Sequence, residues 1–342
     1  MLSLFIMLLL IVATFYVLFH QMDFKTFCSY LKKCDWRYLL GALFLVFLFI
    51  YSEGAAICIA ATALGRKVRQ RAGFVYASID IYFSYITPSA TGGQPLMIYY
   101  MSKDKIHVSK SGIVILMYTS FYSIALVLLG IWAFIFYHPY LFTLKKSFLV
   151  LYFAGMGLCI ILTVFCLLAM FSQKWIKKAG VWLLSFLSRV SIVKNKDRKI
   201  KNFLIQLREY EQGARFIRTH PFVSLRVFLW VLVQRISMLS IVYFVYRSFG
   251  LEGNSYFELF ALQTFWTVAS YAIPIPGAVG ISEGMFLVLF ATVFGSELLM
   301  PGLFLSRGIN FYLSLVVCAT VTIINQFRLV RIEKRRLNEK TH

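Results

Sequence analysis

The sequence predicts an all-α integral membrane protein, and three observations support this fold class. The chain of 342 residues is 60% hydrophobic and 18% aromatic, whereas soluble domains are about 45–50% apolar. Six apolar stretches each approach the ~20 residues that a helix needs to cross the hydrocarbon core of a bilayer. Two more apolar segments are interrupted by Pro and Gly. We therefore expect about six full transmembrane helices plus two re-entrant broken-helix hairpins, related as an inverted repeat.

The six predicted spans cover residues 2–19, 38–64, 112–137, 148–171, 222–249 and 302–325. The first is placed like a signal peptide, but it lacks a basic start and a small-residue cleavage site, so we expect a retained anchor. The two interrupted segments, residues 72–101 and 256–294, lie between spans at corresponding places in the two halves of the chain.

We expect a single polytopic membrane domain over residues 1–342. It comprises a first half (1–171), a basic linker (172–221), a second half (222–325) and a basic tail (326–342). Within the linker, residues 174–190 combine Trp and Phe with basic side chains. That composition is typical of an interfacial helix on anionic lipid, although a solvated helix packed on the protein itself is an equal alternative.

The two interrupted segments contain similar runs, SYITPSATGGQP from residue 84 and SYAIPIPGAVGISE from residue 270. Pro lacks a backbone N–H and Gly readily adopts positive φ, so both runs break a helix. Broken backbone at membrane depth is tolerated only where it is buried in protein or lines a wet cavity. Paired breaks in two halves therefore indicate a transport site. The substrate-binding residues predicted from the two runs are Pro88, Gly92, Gly93, Gln94, Pro274, Pro276, Gly277 and Gly280.

The charge distribution predicts the orientation. Lys and Arg outnumber Asp and Glu by 35 to 14, giving a net charge of +21. Such a surplus could indicate nucleic-acid binding, but no RNA-reading module is visible, and the cations cluster in short loops between apolar spans. The positive-inside rule then places both termini and the linker in the cytoplasm. The loops 250–255 and 295–301, which hold acids and no cation, fall outside, so one interrupted segment enters from each face.

The loop 20–37 also falls outside in this scheme, although it carries several cations. It contains Cys28 and Cys34, whose spacing permits a disulfide on the oxidising side of the membrane without requiring one. The other cysteines lie within apolar spans, where small core residues are expected. No Cys or His pattern has metal-ligand spacing, so neither a metal nor a cofactor is predicted.

Ionisable residues inside the apolar spans are the next signal, because a charge at the bilayer centre costs about 2.5–3.5 kcal/mol even on lenient scales. They are Glu53, Asp80, Arg235, Glu283 and Arg307. One interpretation is that they pair with one another. The other is that some line a cavity that accepts a charged headgroup. Glu283 and Arg307 are the best candidates for the second role, because a half-helix start also offers free N–H groups to a phosphate.

The run from Pro88 through Gly92-Gly93-Gln94 and the run from Pro274 to Glu283 resemble the two signature segments of the lysylphosphatidylglycerol synthase transmembrane family. That family includes the flippase-like region of the bacterial multiple peptide resistance factor. The resemblance covers nearly the whole chain and implies a bacterial plasma-membrane protein with paired re-entrant hairpins and lipid translocation as its activity. At Gln94 the chain departs from the family pattern, which often has an acid after the Gly-Gly pair.

The resemblance leaves two functions to compare. The first is a flippase that moves a phospholipid headgroup, anionic or aminoacylated, between leaflets. The alternative is a phosphatidylglycerol lysyltransferase that uses lysyl-tRNA, alone or with a partner. In full-length relatives that chemistry belongs to a separate soluble domain, which we do not expect here, and no catalytic constellation is visible in the sequence. A scaffold that recruits partners through its basic linker is a third possibility, and a homo-oligomer is possible in each case.

Overall fold

The computed structural model describes residues 24–65, 67–87, 90–142, 146–171, 215, 219–273 and 281–341. The helices are α1 (Phe24–Lys33), α2 (Trp36–Ala63), α3 (Gln70–Ile86), α4 (Gly93–Lys103), α5 (Val108–Phe142), α6 (Lys146–Phe171), α7 (Pro221–Ser248), α8 (Tyr256–Ser270), α9 (Ile281–Leu289), α10 (Ala291–Arg307) and α11 (Ser314–Thr341). A π-helical segment, Gly308–Leu313, joins α10 to α11. No strand occurs in this described part of the chain, so the all-α prediction is confirmed there.

Within the described residues, five helical stretches are long and apolar enough to cross a membrane. They are Trp36–Ala63, Val108–Phe142, Lys146–Leu168, Pro221–Ser248 and Ala291–Arg331. Each contains or closely matches one of the predicted spans, so the multi-pass membrane architecture is confirmed. The predicted span 2–19 and the predicted interfacial helix 174–190 lie outside the described residues.

The two halves of the chain meet along α2 and α7, which pack against each other over much of their length. Small residues allow close approach of neighbouring helices, as is common in membranes. Where α2 crosses α3, a Cβ atom added at Gly54 would lie 2.7 Å from the carbonyl carbon of Gly73. The two backbones are therefore in direct contact at this crossing.

The helices around each interrupted segment contact the opposite half. Helix α3 precedes the first break and packs against α11, while α8 precedes the second break and packs against α5. Each also packs against the long helix before it in the chain, α3 against α2 and α8 against α7. The two interrupted segments are thus held between the long helices of both halves.

Two loop predictions are wrong. Within the loop predicted over residues 20–37, α1 and the start of α2 are helical, and Asp35 caps α2 by accepting a hydrogen bond from the Arg37 N–H at 2.9 Å. The loop predicted over residues 295–301 is helical except at Gly295, which has φ +66° and ψ 172°. The helix resumes immediately after this glycine and continues through Pro301.

Candidate functional site

A cavity of about 870 Å³ is enclosed by helices of both halves. Its lining residues come from α2 to α10 and from the π-helical segment. Five residues predicted from the sequence line it: Glu53, Asp80, Gln94, Arg235 and Arg307. The expensive intramembrane charges are therefore gathered around one space between the two interrupted segments.

Glu53 and Asp80 form an acid pair in the wall of this cavity. Glu53 is 2% exposed and Asp80 is 7% exposed, and their carboxyl groups lie within hydrogen-bonding reach of each other. Glu53 Oε2 accepts a hydrogen bond from Gln234 Nε2 at 2.5 Å, and Gln234 Oε1 accepts one from the Tyr118 hydroxyl at 3.0 Å. Glu53 Oε1 receives no hydrogen bond from any described residue. Gln234 therefore fixes one carboxylate oxygen of Glu53, whereas the other oxygen lacks a hydrogen-bond donor among the described residues.

Arg235 follows Gln234 on α7 and is 3% exposed. Its guanidinium carbon lies 4.0 Å from the ring centre of Tyr122 and 5.4 Å from that of Phe49. Its Nε has no hydrogen-bond partner, and among the described residues no ion pair involves Arg235. Aromatic faces therefore stabilise this cation without satisfying its hydrogen-bond donors.

Glu283 and Arg307 are paired. Both Nε and a terminal nitrogen of Arg307 lie 2.9 Å from Glu283 Oε1. The Ser282 hydroxyl donates to Glu283 Oε2 at 2.9 Å, and the guanidinium of Arg307 also lies 4.7 Å from the ring centre of Phe311. Arg307 lines the cavity, so pairing with Glu283 and exposure to the cavity are combined in one side chain. Their headgroup-binding role stays a prediction.

At the first break, the side chain of Thr87 makes hydrogen bonds to the backbone on both sides of the interruption. Thr87 Oγ1 donates to the Phe83 carbonyl at 2.7 Å and accepts from the Gly92 N–H at 2.9 Å. Helix α4 then starts at Gly93, as expected for a half-helix that begins at the break. A Cβ atom added at Gly93 would overlap the Asp80 carboxylate and the Ser84 hydroxyl. Gly93 therefore allows the start of α4 to lie directly against the acid pair.

Gln94 occupies the first turn of α4 and donates from Nε2 to the Thr119 hydroxyl at 2.8 Å. Helix α9 begins at Ile281, which places Glu283 in its first turn, as predicted. The remaining predicted substrate-binding residues of the two breaks, Pro88, Pro274, Pro276, Gly277 and Gly280, lie outside the described residues. Gly92 and Gly93 are thus the described members of the predicted helix-breaking set.

The structure adds residues that the sequence did not indicate. Gln234 and Tyr118 hold Glu53, and Tyr122 covers Arg235, but an uncharged polar or aromatic residue in an apolar span carries no strong signal by itself. The cavity also has an apolar wall on α6. Leu158, Ile161 and Phe165 line the cavity although they are 46%, 66% and 63% exposed. Their pattern in the sequence is that of any lipid-facing helix.

The cysteines fit the expectation of small core residues where they are described: Cys58, Cys159, Cys166 and Cys318 are buried. Cys34 donates a hydrogen bond to the Tyr30 carbonyl at 3.3 Å, and burial raises the pKa of its thiol. Cys34 is thus a free thiol in this structure, and the disulfide with Cys28 that the spacing permits is not formed. Among the residues searched, no group of three or more His, Cys, Asp or Glu side chains could hold a metal ion.

Comparison with known families gives one match. The family model described as the lysylphosphatidylglycerol synthase TM region matches residues 2–318. No curated protein matches the chain significantly. The matched range includes every residue of the cavity and both interrupted segments.

Proposed function

We propose that this chain, which belongs to the lysylphosphatidylglycerol synthase TM-region family, carries the headgroup of a phospholipid across the bilayer through the central cavity. Family membership confirms the resemblance carried by the two interrupted motifs. It also fits a membrane protein that handles lipid. The substrate and the mechanism are our proposals.

The observation that carries the proposal is the two-sided character of the cavity. The buried charged residues Glu53, Asp80 and Arg235 line one part of it, whereas its α6 wall is apolar and includes residues that are 46–66% exposed. A phospholipid has the same division, with a charged headgroup and apolar tails. The headgroup would occupy the polar part while the tails stay in the bilayer beside α6.

Arg235 is the group best suited to receive the phosphate. A guanidinium presents paired N–H donors that match phosphate oxygens. A buried cation without a partner is unfavourable, whereas an arriving phosphate would neutralise it and satisfy its donors. Arg307 lines the same cavity but is already paired with Glu283. We therefore assign the first phosphate contact to Arg235 and expect Arg307 to contribute to the field that attracts an anion.

We further propose that the two halves form an inverted repeat with two re-entrant hairpins. The reciprocal packing of α3 on α11 and of α8 on α5 supports this arrangement, because a pseudo-two-fold axis would exchange those pairs. Both termini are then cytoplasmic in a bacterial plasma membrane, in line with the basic linker and tail. The lipid we propose is anionic or aminoacylated, since both kinds carry the phosphate that Arg235 fits.

The test uses purified protein in vesicles that contain a fluorescent-headgroup analogue of phosphatidylglycerol. A membrane-impermeant reductant bleaches only the outer leaflet, so exchange between leaflets appears as bleaching beyond the outer half. We expect the wild-type protein to allow bleaching of nearly all the label and Arg235→Gln to leave the inner half protected. Protein-free vesicles set the baseline.

The matched control is Arg226→Gln, the same change at an exposed position of α7. It should behave as wild type, because Arg226 does not line the cavity. Equal exchange in Arg235→Gln and wild type would contradict the phosphate assignment. Absence of exchange in the wild-type protein would contradict the proposed function itself.

The lysyltransferase alternative is supported by the words of the family description, which names a synthase. It is tested by supplying lysyl-tRNA and phosphatidylglycerol to the same vesicles and looking for lysylated lipid by mass spectrometry. We expect none from this chain alone. Formation of that lipid would replace our proposal by the enzymatic one.

A further inference from the structure

We propose that the Glu53–Asp80 acid pair binds a proton that crosses the membrane together with the lipid headgroup. The inference rests on the proposed function, because it assigns a co-transported ion to the same cavity. It makes the protein a proton-coupled carrier of anionic lipid.

The geometry of the pair calls for a shared proton. The two carboxyl groups face each other within hydrogen-bonding reach, yet Glu53 Oε1 receives no hydrogen bond from any described residue. Two ionised carboxylates can only repel each other across such a gap, because neither has a donor. One proton between them turns the contact into a hydrogen bond.

The groups around Glu53 and Asp80 leave these two carboxyl groups as the ones that exchange a proton. Asp80 accepts a weak hydrogen bond from the Ser84 hydroxyl at 3.4 Å, and Gln234 donates to the opposite oxygen of Glu53. Tyr118, Arg235 and Cys318 face the pair from the helices packed around it, and Tyr85, Tyr122 and Arg307 line the same cavity. Arg307 is already neutralised by Glu283, which leaves Arg235 as the cavity cation without an ion-pair partner among the described residues.

Charge balance in the cavity then fixes the stoichiometry. The Glu283–Arg307 pair is neutral by itself, so the remaining formal charges are Glu53, Asp80 and Arg235. With one proton on the acid pair, its single negative charge balances Arg235. Net charge in a low-dielectric interior is strongly disfavoured.

Arrival of an anionic phosphate at Arg235 adds one negative charge to this set. Binding of a second proton by the acid pair restores neutrality, with both carboxyl groups protonated and Arg235 paired to the phosphate. Release of the headgroup on the other side removes the phosphate charge, and the second proton leaves to the water there. One proton therefore crosses with each singly charged anionic headgroup, and no charge moves across the membrane.

The coupling predicts a definite lipid asymmetry. For one proton per lipid, a pH difference of one unit sustains up to about a tenfold excess of the anionic lipid in the leaflet on the alkaline side. A zwitterionic headgroup brings no net charge, so it should exchange without any such excess.

The experiment uses wild-type protein in vesicles with labelled phosphatidylglycerol or labelled phosphatidylcholine, and a pH difference of about one unit, equivalent to tenfold in proton activity. We expect the phosphatidylglycerol analogue to accumulate on the alkaline side and the phosphatidylcholine analogue, where it is exchanged, to stay evenly distributed. Even distribution of the anionic lipid, with exchange intact, would overturn the proton assignment and leave the proposed function standing. Lack of exchange of either lipid would overturn both.

Two substitutions test the residues. Glu53→Gln and Asp80→Asn should each abolish the pH-driven asymmetry, whereas Glu252→Gln, which changes an exposed acid outside the cavity, should keep it. Asymmetry that survives both cavity substitutions would refute the assignment.

A measurement on the wild-type protein covers the case in which those variants do not fold. Infrared spectra at neutral pH should show the carbonyl stretch of a protonated carboxylic acid that shifts on exchange into D₂O. A spectrum without that band would contradict the shared proton.

Discussion

The ion pair between Glu283 and Arg307 gives a prediction that separates stability from transport. Both contacts with Glu283 Oε1 are 2.9 Å long, and the side chains are 18% and 8% exposed for Glu283 and Arg307. Breaking a buried pair from one side leaves the other charge uncompensated, at about 3–5 kcal/mol. Because Arg307 also faces the cavity and the ring of Phe311, we expect the lower end of that range, about 3 kcal/mol, for Glu283→Gln.

The double change of Glu283→Gln with Arg307→Gln should recover most of that stability, because no unpaired charge remains. It should not recover lipid exchange, because Arg307 lines the cavity and contributes to the field that draws in an anionic headgroup. The free energy of unfolding is measured by denaturant titration in detergent micelles, and exchange is measured in vesicles, for both single variants and the double variant.

The matched control is the exposed pair Arg247–Glu252, which has the same 2.9 Å separation with side chains 23% and 76% exposed. Glu252→Gln should change the free energy of unfolding by less than about 1 kcal/mol. A similarly small effect for Glu283→Gln would refute the reasoning about the buried pair. Recovery of lipid exchange in the double variant would refute a role for Arg307 in the cavity.

Two further predictions concern the first break and the orientation. Gly93→Ala should stop lipid exchange while the protein still inserts, because the added methyl group would overlap Asp80. Gly284→Ala should be tolerated, because a Cβ there has open space around it. Normal exchange in Gly93→Ala would mean that the contact with Asp80 relaxes freely. In a cysteine-free background, Gly253→Cys should react with an impermeant thiol reagent added to intact cells, and Gln70→Cys should not. Labelling of Gln70→Cys without labelling of Gly253→Cys would invert the proposed orientation.

The sequence predicts the membrane spans and the charged residues of the cavity because both follow from the properties of hydrocarbon. Long apolar stretches are required to cross it, and charges within them are costly enough to indicate function. That reasoning selected Glu53, Asp80, Arg235 and Arg307, and the structure gathers all four around one cavity.

The partners of those charges could not be predicted, because they depend on distances between helices that are far apart in the chain. Gln234 binds Glu53 across 181 positions, and nothing in the local pattern of either span indicates it. The incorrect prediction of a loop at residues 295–301 has a local cause. Gly295 does break the helix, but the chain re-enters a helix at once, and that helix contains Pro301.

The central claim, that the headgroup passes through this cavity, is tested most directly by obstructing the cavity without changing its charges. Thr267 lines the cavity, and Thr320 is exposed on α11; each donates its hydroxyl hydrogen bond to the carbonyl four residues earlier, at 2.8 Å. In a cysteine-free background, Thr267→Cys and Thr320→Cys are each labelled with a bulky neutral maleimide, and lipid exchange is measured before and after labelling. We expect that labelling Thr267→Cys stops exchange and that labelling Thr320→Cys leaves it unchanged. Undiminished exchange through fully labelled Thr267→Cys would contradict passage of the headgroup through the cavity.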